Sequence, residues 1–432
     1  MDIILVNAPK KKSEHSSLAP PLGIGYIAAI LLRAGYDTSV IDLNVSGFDP
    51  LGFKSILEKE KPHILGISAH TETYLSGLKI AHIAKEVNPE IAIVMGGTHP
   101  TIMYQDVARE KNIDIVARGE GEYTMLELAN CLIKNKGSRA EIKGIAYSED
   151  GLVKVNPDRP FIENPDELPF PARELFPIHQ YKDPGQVLMS RGGCPFNCHF
   201  CSVNNIWKGS RKYRSTENVI KEISHIFDNF HLTEIGFDDD AFTLNKTRVI
   251  SLCDQSKNLR ELFPWHWTCT TRVDLVDREL LEKMHEAGCY NIQYGIEAGS
   301  QKILDSIGKK ITLNQVRDAV NMTLDHGIEV TCFFMFPHPE DTEETIREQM
   351  QIMKELRDMG ATETLSMTTP YPGTYDWEHA DELGIKILAK NWDEYDANDL
   401  TITTRYLSEE KLRYLLEELV QYVGLTTEVQ SF

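Results

Sequence analysis

The stretch Arg191-Gly192-Gly193-Cys194-Pro195-Phe196-Asn197-Cys198-His199-Phe200-Cys201 decides how this chain is read. It sets three cysteines in a C-x₃-C-x₂-C pattern, and no second C-x₂-C or H-x₃-H pair exists to complete a four-ligand site. A structural zinc site closes its tetrahedron with four protein ligands. A cubane iron-sulfur cluster held by three thiolates keeps one iron open to another ligand. The odd count points to chemistry at an open metal position. Two plainer readings stand beside it: a zinc knuckle completed by His199 or a distant cysteine, and three ordinary buried thiols.

Outward from the cysteines, residues 187–375 alternate strands with helical spacing. Residues 187–190, 234–237, 265–270, 291–295, 330–334 and 364–367 read as strands, and 219–227, 249–258, 280–286, 313–325 and 342–356 as helices. Six parallel strands, each closed by a helix, predict a partial (β/α)₆ barrel whose working face is the C-terminal ends of its strands. Polar clusters recur at those ends: Asp238-Asp239-Asp240, Thr270-Thr271-Arg272-Val273-Asp274 and Gly295-Ile296-Glu297-Ala298-Gly299-Ser300. Three at one level predict a polar ligand across the mouth.

Residues 1–140 also alternate. Strands at 3–7, 37–42, 64–68, 91–95 and 113–117, with helices at 22–33, 52–59, 75–87 and 101–110, predict a Rossmann-like, doubly wound parallel sheet. Its ligand-binding loops are Pro20-Pro21-Leu22-Gly23, Ser68-Ala69-His70-Thr71, Gly96-Gly97-Thr98-His99-Pro100 and Arg118-Gly119-Glu120-Gly121-Glu122. No G-x-G-x-x-G follows the first strand, which disfavours a nicotinamide dinucleotide. Residues 141–186 read as a proline-rich linker, and 376–432, with Trp377, Trp392, Tyr395 and a helix at 409–422, as a small C-terminal segment.

A hydrophobic fraction of 41% supports real cores, and 432 residues call for two or three domains. The formal charge of −20 argues against nucleic acid, since such binders carry basic stripes. The best basic patch is local, Lys208, Arg211, Lys212 and Arg214, and reads equally as a solvated loop or as a neighbour of an anionic group. The first residues lack the basic segment of a signal peptide, and no apolar run approaches the roughly 18 to 20 residues of a membrane span. Eight cysteines, three of them within eight positions, fit reduced thiols. The expectation is a cytoplasmic protein with a small-molecule substrate.

Taken together, the cysteine motif with an aromatic before its last member and the three polar strand ends resemble the radical S-adenosylmethionine enzymes. The loops Pro20 to Tyr26, Gly96 to Pro100 and Gly119 to Glu122 extend the resemblance to their cobalamin-binding class, over residues 1 to about 375. The resemblance implies that Cys194, Cys198 and Cys201 ligate a [4Fe-4S] cluster whose fourth iron takes the amino and carboxylate groups of S-adenosylmethionine, with Phe200 beside the adenine. It gives the methionine amino group to the segment Asp238, Asp239 and Asp240. It further implies Arg272 at the methionyl carboxylate, and Glu297, in the turn ending at Ser300, at the ribose or the amino group. The plainer alternative is a salt bridge from Arg272 to Glu297 or Asp274. Cobalamin contacts are implied at Pro21, Leu22, Gly23, Ser68, Gly96, Gly97, His99, Gly119 and Glu120, and a flavodoxin- or ferredoxin-type electron donor as partner.

The chain departs from that pattern twice. The Asp-x-His-x-x-Gly loop of many cobalamin proteins is absent; His15 and His70 are the nearby imidazoles, and the resemblance favours a corrinoid with no protein nitrogen beneath cobalt. The fifth barrel strand ends in Phe336-Pro337-His338-Pro339-Glu340-Asp341-Thr342 where relatives carry small residues. Of the other cysteines, Cys131 and Cys253 read as core and Cys332 as a strand residue. The activity implied is methyl transfer from methylcobalamin to an unactivated carbon or phosphinate phosphorus, by way of a 5′-deoxyadenosyl radical. The alternatives are ring formation, oxidation or rearrangement with the same cofactors, and a corrinoid or redox sensor.

Overall fold

The computed structural model describes residues 1–10 and 19–424, so His15 lies outside the described residues. The chain divides into two compact units, Met1–Pro184 with Asn391–Asp393, and Gly185–Lys390 with Glu394–Phe432.

The first unit is built on strands β1 (Ile3–Asn7), β2 (Thr38–Asp42), β3 (Ile64–Ser68), β4 (Ala92–Gly96), β5 (Ile115–Ala117), β6 (Ile145–Glu149) and β7 (Leu152–Val155). They lie in the order β2-β1-β3-β4-β5-β6-β7, parallel through β5 and antiparallel beyond it. Ile3, Ile4, Leu5 and Val6 are all buried, as a strand covered on both faces requires. The order reverses between β1 and β3, so the crevice beyond Asn7 and Ser68 is the place where such a sheet binds ligands.

Two differences from the sequence reading stand out here. Residues 101–110 are not one helix but two short ones, Thr98–Ile102 and Tyr104–Val107. Residues 145–155 are not connecting segment but β6 and β7, and β7 was illegible because Leu152 and Val155 are exposed on an edge strand and show no buried face. The prolines after it run along the same unit. Ala172 donates its N–H to Gly25 O at 3.0 Å, Arg33 Nη1 reaches Glu167 O at 2.9 Å, and the Tyr181 hydroxyl donates to Asp42 Oδ2 at 2.9 Å.

The second unit carries six parallel strands in the order β15-β14-β13-β12-β11-β8. These are β8 (Gln186–Val187), β11 (Glu234–Phe237), β12 (His266–Thr271), β13 (Cys289–Glu297), β14 (Glu329–Phe336) and β15 (Thr362–Met367), with an antiparallel hairpin β9 (Ser190–Gly192) and β10 (Arg211–Tyr213) after β8. Alternate residues of β12 and β14 are buried, giving Trp267, Cys269, Cys332 and Phe334 to the core. The helices begin at side-chain caps legible in the sequence: Ser215 accepts from Asn218 N, and Thr312 and Gln315 form a capping box. The closing helix Glu409–Val423 inserts Leu412, Leu415, Leu419 and Val423 into the same core, so most of the C-terminal segment is part of this unit.

Residues 187–190 do not run as one strand. Beyond Val187 the N–H groups of Met189 and Ser190 are taken by the Asp239 carboxylate at 2.8 Å each, and the chain turns into the hairpin that carries the cysteines. Arg214 of the basic patch is buried rather than solvated, in an ion pair with buried Glu222 and a 2.8 Å bond to Leu188 O. Among the described residues no helix is long and apolar enough to cross a membrane.

Candidate functional site

The three cysteines lie in the loop between β9 and β10, and backbone contacts fix both ends of it. Gly192 has φ +123, and a Cβ there would stand 2.2 Å from Ser210 O, so only glycine closes the hairpin. His199 donates its N–H to Ile307 O at 3.0 Å, and Asn204 Nδ2 donates to Phe196 O at 2.6 Å. The Arg272 guanidinium covers the Phe196 ring at 3.6 Å. Burial pushes all three thiols up, Cys201 to about 12, while Arg272 and Lys309 pull Cys194 and Cys198 back down. Thiolates at this depth need positive charge beside them.

Among the described residues no three His, Cys, Asp or Glu side chains are placed around a single metal ion. His199, which would complete a zinc knuckle, stacks on Tyr375 at 4.2 Å. A cubane asks for a different arrangement, one thiolate on each of three irons, and the donor set suits it.

The polar strand ends divide into braces and open groups. Asp239 is buried and holds Met189 and Ser190. Asp238 and Asp240 stay open to solvent but are walled in by protein; burial, with the charge of Asp239 adding to it, pushes both carboxyls up to about 6. Asp240 and Cys194 line one narrow cleft with Ser190, Arg211 and Phe242.

Arg272 makes the plainer of the contacts expected of it, the salt bridge to Asp274, and its Nη1 has no hydrogen-bond partner. Its Nε and Nη2 form a bidentate pair with Asp274 at 2.9 and 3.0 Å, and Nη2 also donates to Lys309 O, so most of its fork braces the rim. Glu297 is likewise engaged, in a 2.8 Å ion pair with the buried Lys309. Ser300 is buried at the start of the helix Gln301–Ser306, with Gly299 packed against Gln349. Lys309, a cation beside the cysteines, was missed by sequence reasoning: it follows a short helix, outside any polar strand end, and nothing in its neighbours marks it.

Several buried polar atoms lack a hydrogen-bond partner, and they gather at the strand ends: Arg272 Nη1 after β12, His338 Nδ1 after β14, Thr368 Oγ1 after β15 and both carboxylate oxygens of Asp376. Such groups are costly unless a ligand completes them. They supply donors and acceptors together, which fits the mixed polarity of S-adenosylmethionine. Of the two bulky substitutions in the fifth strand end, Phe336 is plain core, whereas His338 sits 6.4 Å from the Phe200 ring.

In the first unit the expected ligand residues also separate. Gly97 has φ +107 and would put a Cβ 2.4 Å from Ala69 O, so its loop presses directly on the end of β3. Gly23 and Gly119 have open space where a Cβ would be, and Ser68 and Gly96 are the last residues of β3 and β4. Leu22, His99 and Glu120 are buried. Leu22 is core, and Glu120 accepts Ile162 N at 2.7 Å. His99 is 2% exposed, packed between Tyr74 at 4.4 Å and Trp392 at 4.9 Å, and burial lowers its pKa to about 4. Trp377 and Tyr395 pack together at 5.8 Å in the second unit. His70 remains exposed, its Nδ1 3.0 Å from Thr98 Oγ1.

Comparison with known proteins agrees with both halves. Residues 14–129 match the B12 binding domain and residues 190–351 the radical SAM superfamily. An uncharacterized methyltransferase of Pyrococcus horikoshii is 35% identical over 97% of this chain and 91% of its own length. The anaerobic magnesium-protoporphyrin IX monomethyl ester cyclase of Rubrivivax gelatinosus is 30% identical over 87% of this chain and 68% of its own. In fold, the chain resembles the radical S-adenosylmethionine methyltransferase TsrM of Kitasatospora setae, solved with cobalamin and a [4Fe-4S] cluster bound. The TM-score is 0.78 at 16% identity, covering 98% of this chain and 89% of that one.

Proposed function

Because the chain belongs to the radical S-adenosylmethionine enzymes that carry a B12-binding domain, we propose that it is a cobalamin-dependent methyltransferase acting on an unactivated centre of a small molecule. The observation that carries this reading is the pairing of two sites in one chain: a three-cysteine loop beside unpartnered polar groups, and small residues at the strand ends of a doubly wound sheet. When bound, the cofactors supply radical generation and methyl carriage, chemistry beyond the reach of amino-acid side chains.

The protein's own part is placement. Cys194, Cys198 and Cys201 would hold the cluster. Lys309 and Arg272 offset thiolate charge, and Arg272, anchored on Asp274, keeps its Nη1 for a carboxylate. Asp238 and Asp240 are the open acceptors for an ammonium, with Asp239 fixing the loop they face. Phe200, Glu297 and Ser300 complete the nucleoside end in this reading, and Pro21, Gly23, Ser68, Gly96, Gly97 and Gly119 the corrinoid rim. A flavodoxin- or ferredoxin-type protein would deliver the electron.

Product mass tests the proposal. Reconstituted protein turned over with its substrate under reducing conditions should yield a product heavier by one methylene unit. The cyclase relative favours one second reading, oxidation or ring closure with the same cofactors, and a product lighter by hydrogens would establish it instead. Failure to bind any corrinoid from excess cobalamin would remove both.

A further inference from the structure

We infer that Lys309 raises the reduction potential of the cluster at Cys194, Cys198 and Cys201 and that its ion-pair partner Glu297 trims the rise. The inference rests on the reading above that the three thiolates hold a [4Fe-4S] cluster.

The backbone brings Lys309 to the cysteine loop. Ile307 O accepts the His199 N–H at 3.0 Å, and a Cβ on Gly308, whose φ is +70, would stand 3.0 Å from Asn197 O. Residues 307–309 thus pack against Asn197 and His199, the two neighbours of Cys198. Arg272 Nη2, donating to Lys309 O at 2.9 Å, fixes the same stretch from the rim. Lys309 is 5% exposed, and its Nζ lies 2.8 Å from Glu297 Oε1.

Two features of β13 make room for this pair. Glu297 holds φ +72, left-handed backbone that favours glycine, where the pairing of β13 with β14 shifts register. Such a conformation is costly for a residue with a side chain, and it persists where the direction of that side chain matters. Two residues earlier, a Cβ on Gly295 would come within 2.5 Å of Glu297 Oε1 and 3.0 Å of Lys309 Nζ. One position is strained to aim the carboxylate, and another is bare to admit the ammonium. Stability is a poor reason for both, since replacing a buried ion pair by apolar side chains is often neutral.

The pair is also unequal toward the loop. Lys309 pulls down the thiols of Cys194 and Cys198, and on Cys198 its pull exceeds the push of Glu297. Reduction takes one electron from the donor protein and makes or breaks no bond, so the cluster with its thiolates gains a negative charge. A fixed cation beside it favours that state, a fixed anion opposes it, and burial weakens the screening of both.

The test is a redox titration of the cluster-reconstituted full chain, followed by the electron paramagnetic resonance of the reduced cluster. It is run without S-adenosylmethionine, and iron and sulfide are measured on every sample. Lys309→Met should lower the ratio of reduced to oxidised cluster at a fixed potential by about tenfold, which is about 59 mV for a one-electron couple. Glu297→Gln should move it the other way, by about threefold. Lys309→Arg, which keeps the charge, should stay within about twofold of the wild type. Shifts of one sign in Lys309→Met and Glu297→Gln, loss of iron from both, or a change below about twofold in Lys309→Met with iron retained overturns the inference. If Lys309→Met alone loses iron, Glu297→Gln decides, and the absence of a rise overturns it. A wild type that assembles no cluster overturns the functional reading, and this inference with it.

Discussion

Asp239 accepts three hydrogen bonds around Ser190: the Ser190 N–H at 2.8 Å, its hydroxyl, and the Met189 N–H at 2.8 Å. One carboxylate at the end of β11 therefore sets the direction in which the chain leaves β8 toward Cys194. The three consecutive aspartates are not equivalent, since this one is spent on the backbone while Asp240 lines the cleft with Cys194 and makes no such bonds.

Asp239→Asn should destabilise the second unit by about 1 to 3 kcal/mol, because an amide cannot accept all three bonds. It should also lower the iron retained after reconstitution. Asp238→Asn and Asp240→Asn should leave stability at neutral pH unchanged or raised, since burial already disfavours their charged forms. Urea unfolding with iron analysis checks both, and equal losses in all three variants would contradict the division of roles.

Replacing Cys194, Cys198 or Cys201 by Ser should abolish the iron-sulfur absorbance, each removing one of three ligands. Cys332→Ala should keep full iron and absorbance, since Cys332 is fully buried in the core. Iron and sulfide assays decide it. A cluster retained in any of the first three variants would show that another side chain is the ligand.

Gly97→Ala should impair the first unit severely, by about 2 to 4 kcal/mol, as it combines a left-handed backbone with a steric overlap. The new Cβ would lie 2.4 Å from Ala69 O. Gly23→Ala meets nothing within 4 Å and should be close to neutral for stability. Corrinoid retention on a desalting column and unfolding midpoints, measured on both variants, should separate them.

The pKa of His99 is lowered from 6.5 to about 4 by burial, so between those values the unfolded chain binds a proton that the folded chain refuses. Stability from this residue is complete above about pH 6.5 and is lost as pH falls toward 4. At about 1.4 kcal/mol per unit the loss is roughly 3 kcal/mol. His99→Phe should flatten the stability profile of the first unit across that window. Coincident pH profiles for variant and wild type would refute it.

Much of the architecture was legible because its signals are local. Buried parallel strands such as Ile3–Asn7 and Ile64–Ser68 are unbroken aliphatic runs, and Thr312 with Gln315 announces a helix start in four residues. The misreadings fall where burial and sequence pattern disagree. Strand Leu152–Val155 buries almost nothing, and residues 101–110 carry helical spacing across a break at Met103. In the site, residue type left alternatives that only packing decided: Arg272 suited a ligand carboxylate or a salt bridge to Glu297 or Asp274, and the structure gives it Asp274.

The sequence by itself determined the two-part α/β organisation, the three-cysteine loop and the family, because spacing along the chain and hydrophobic period are properties of a linear string. Only the tertiary structure decided which of Asp238, Asp239 and Asp240 is a brace, that Lys309 stands beside the cysteines, and that Asp376 and His338 are buried without partners. Those facts depend on which side chains from distant strand ends meet, and on how much water the packing around them leaves.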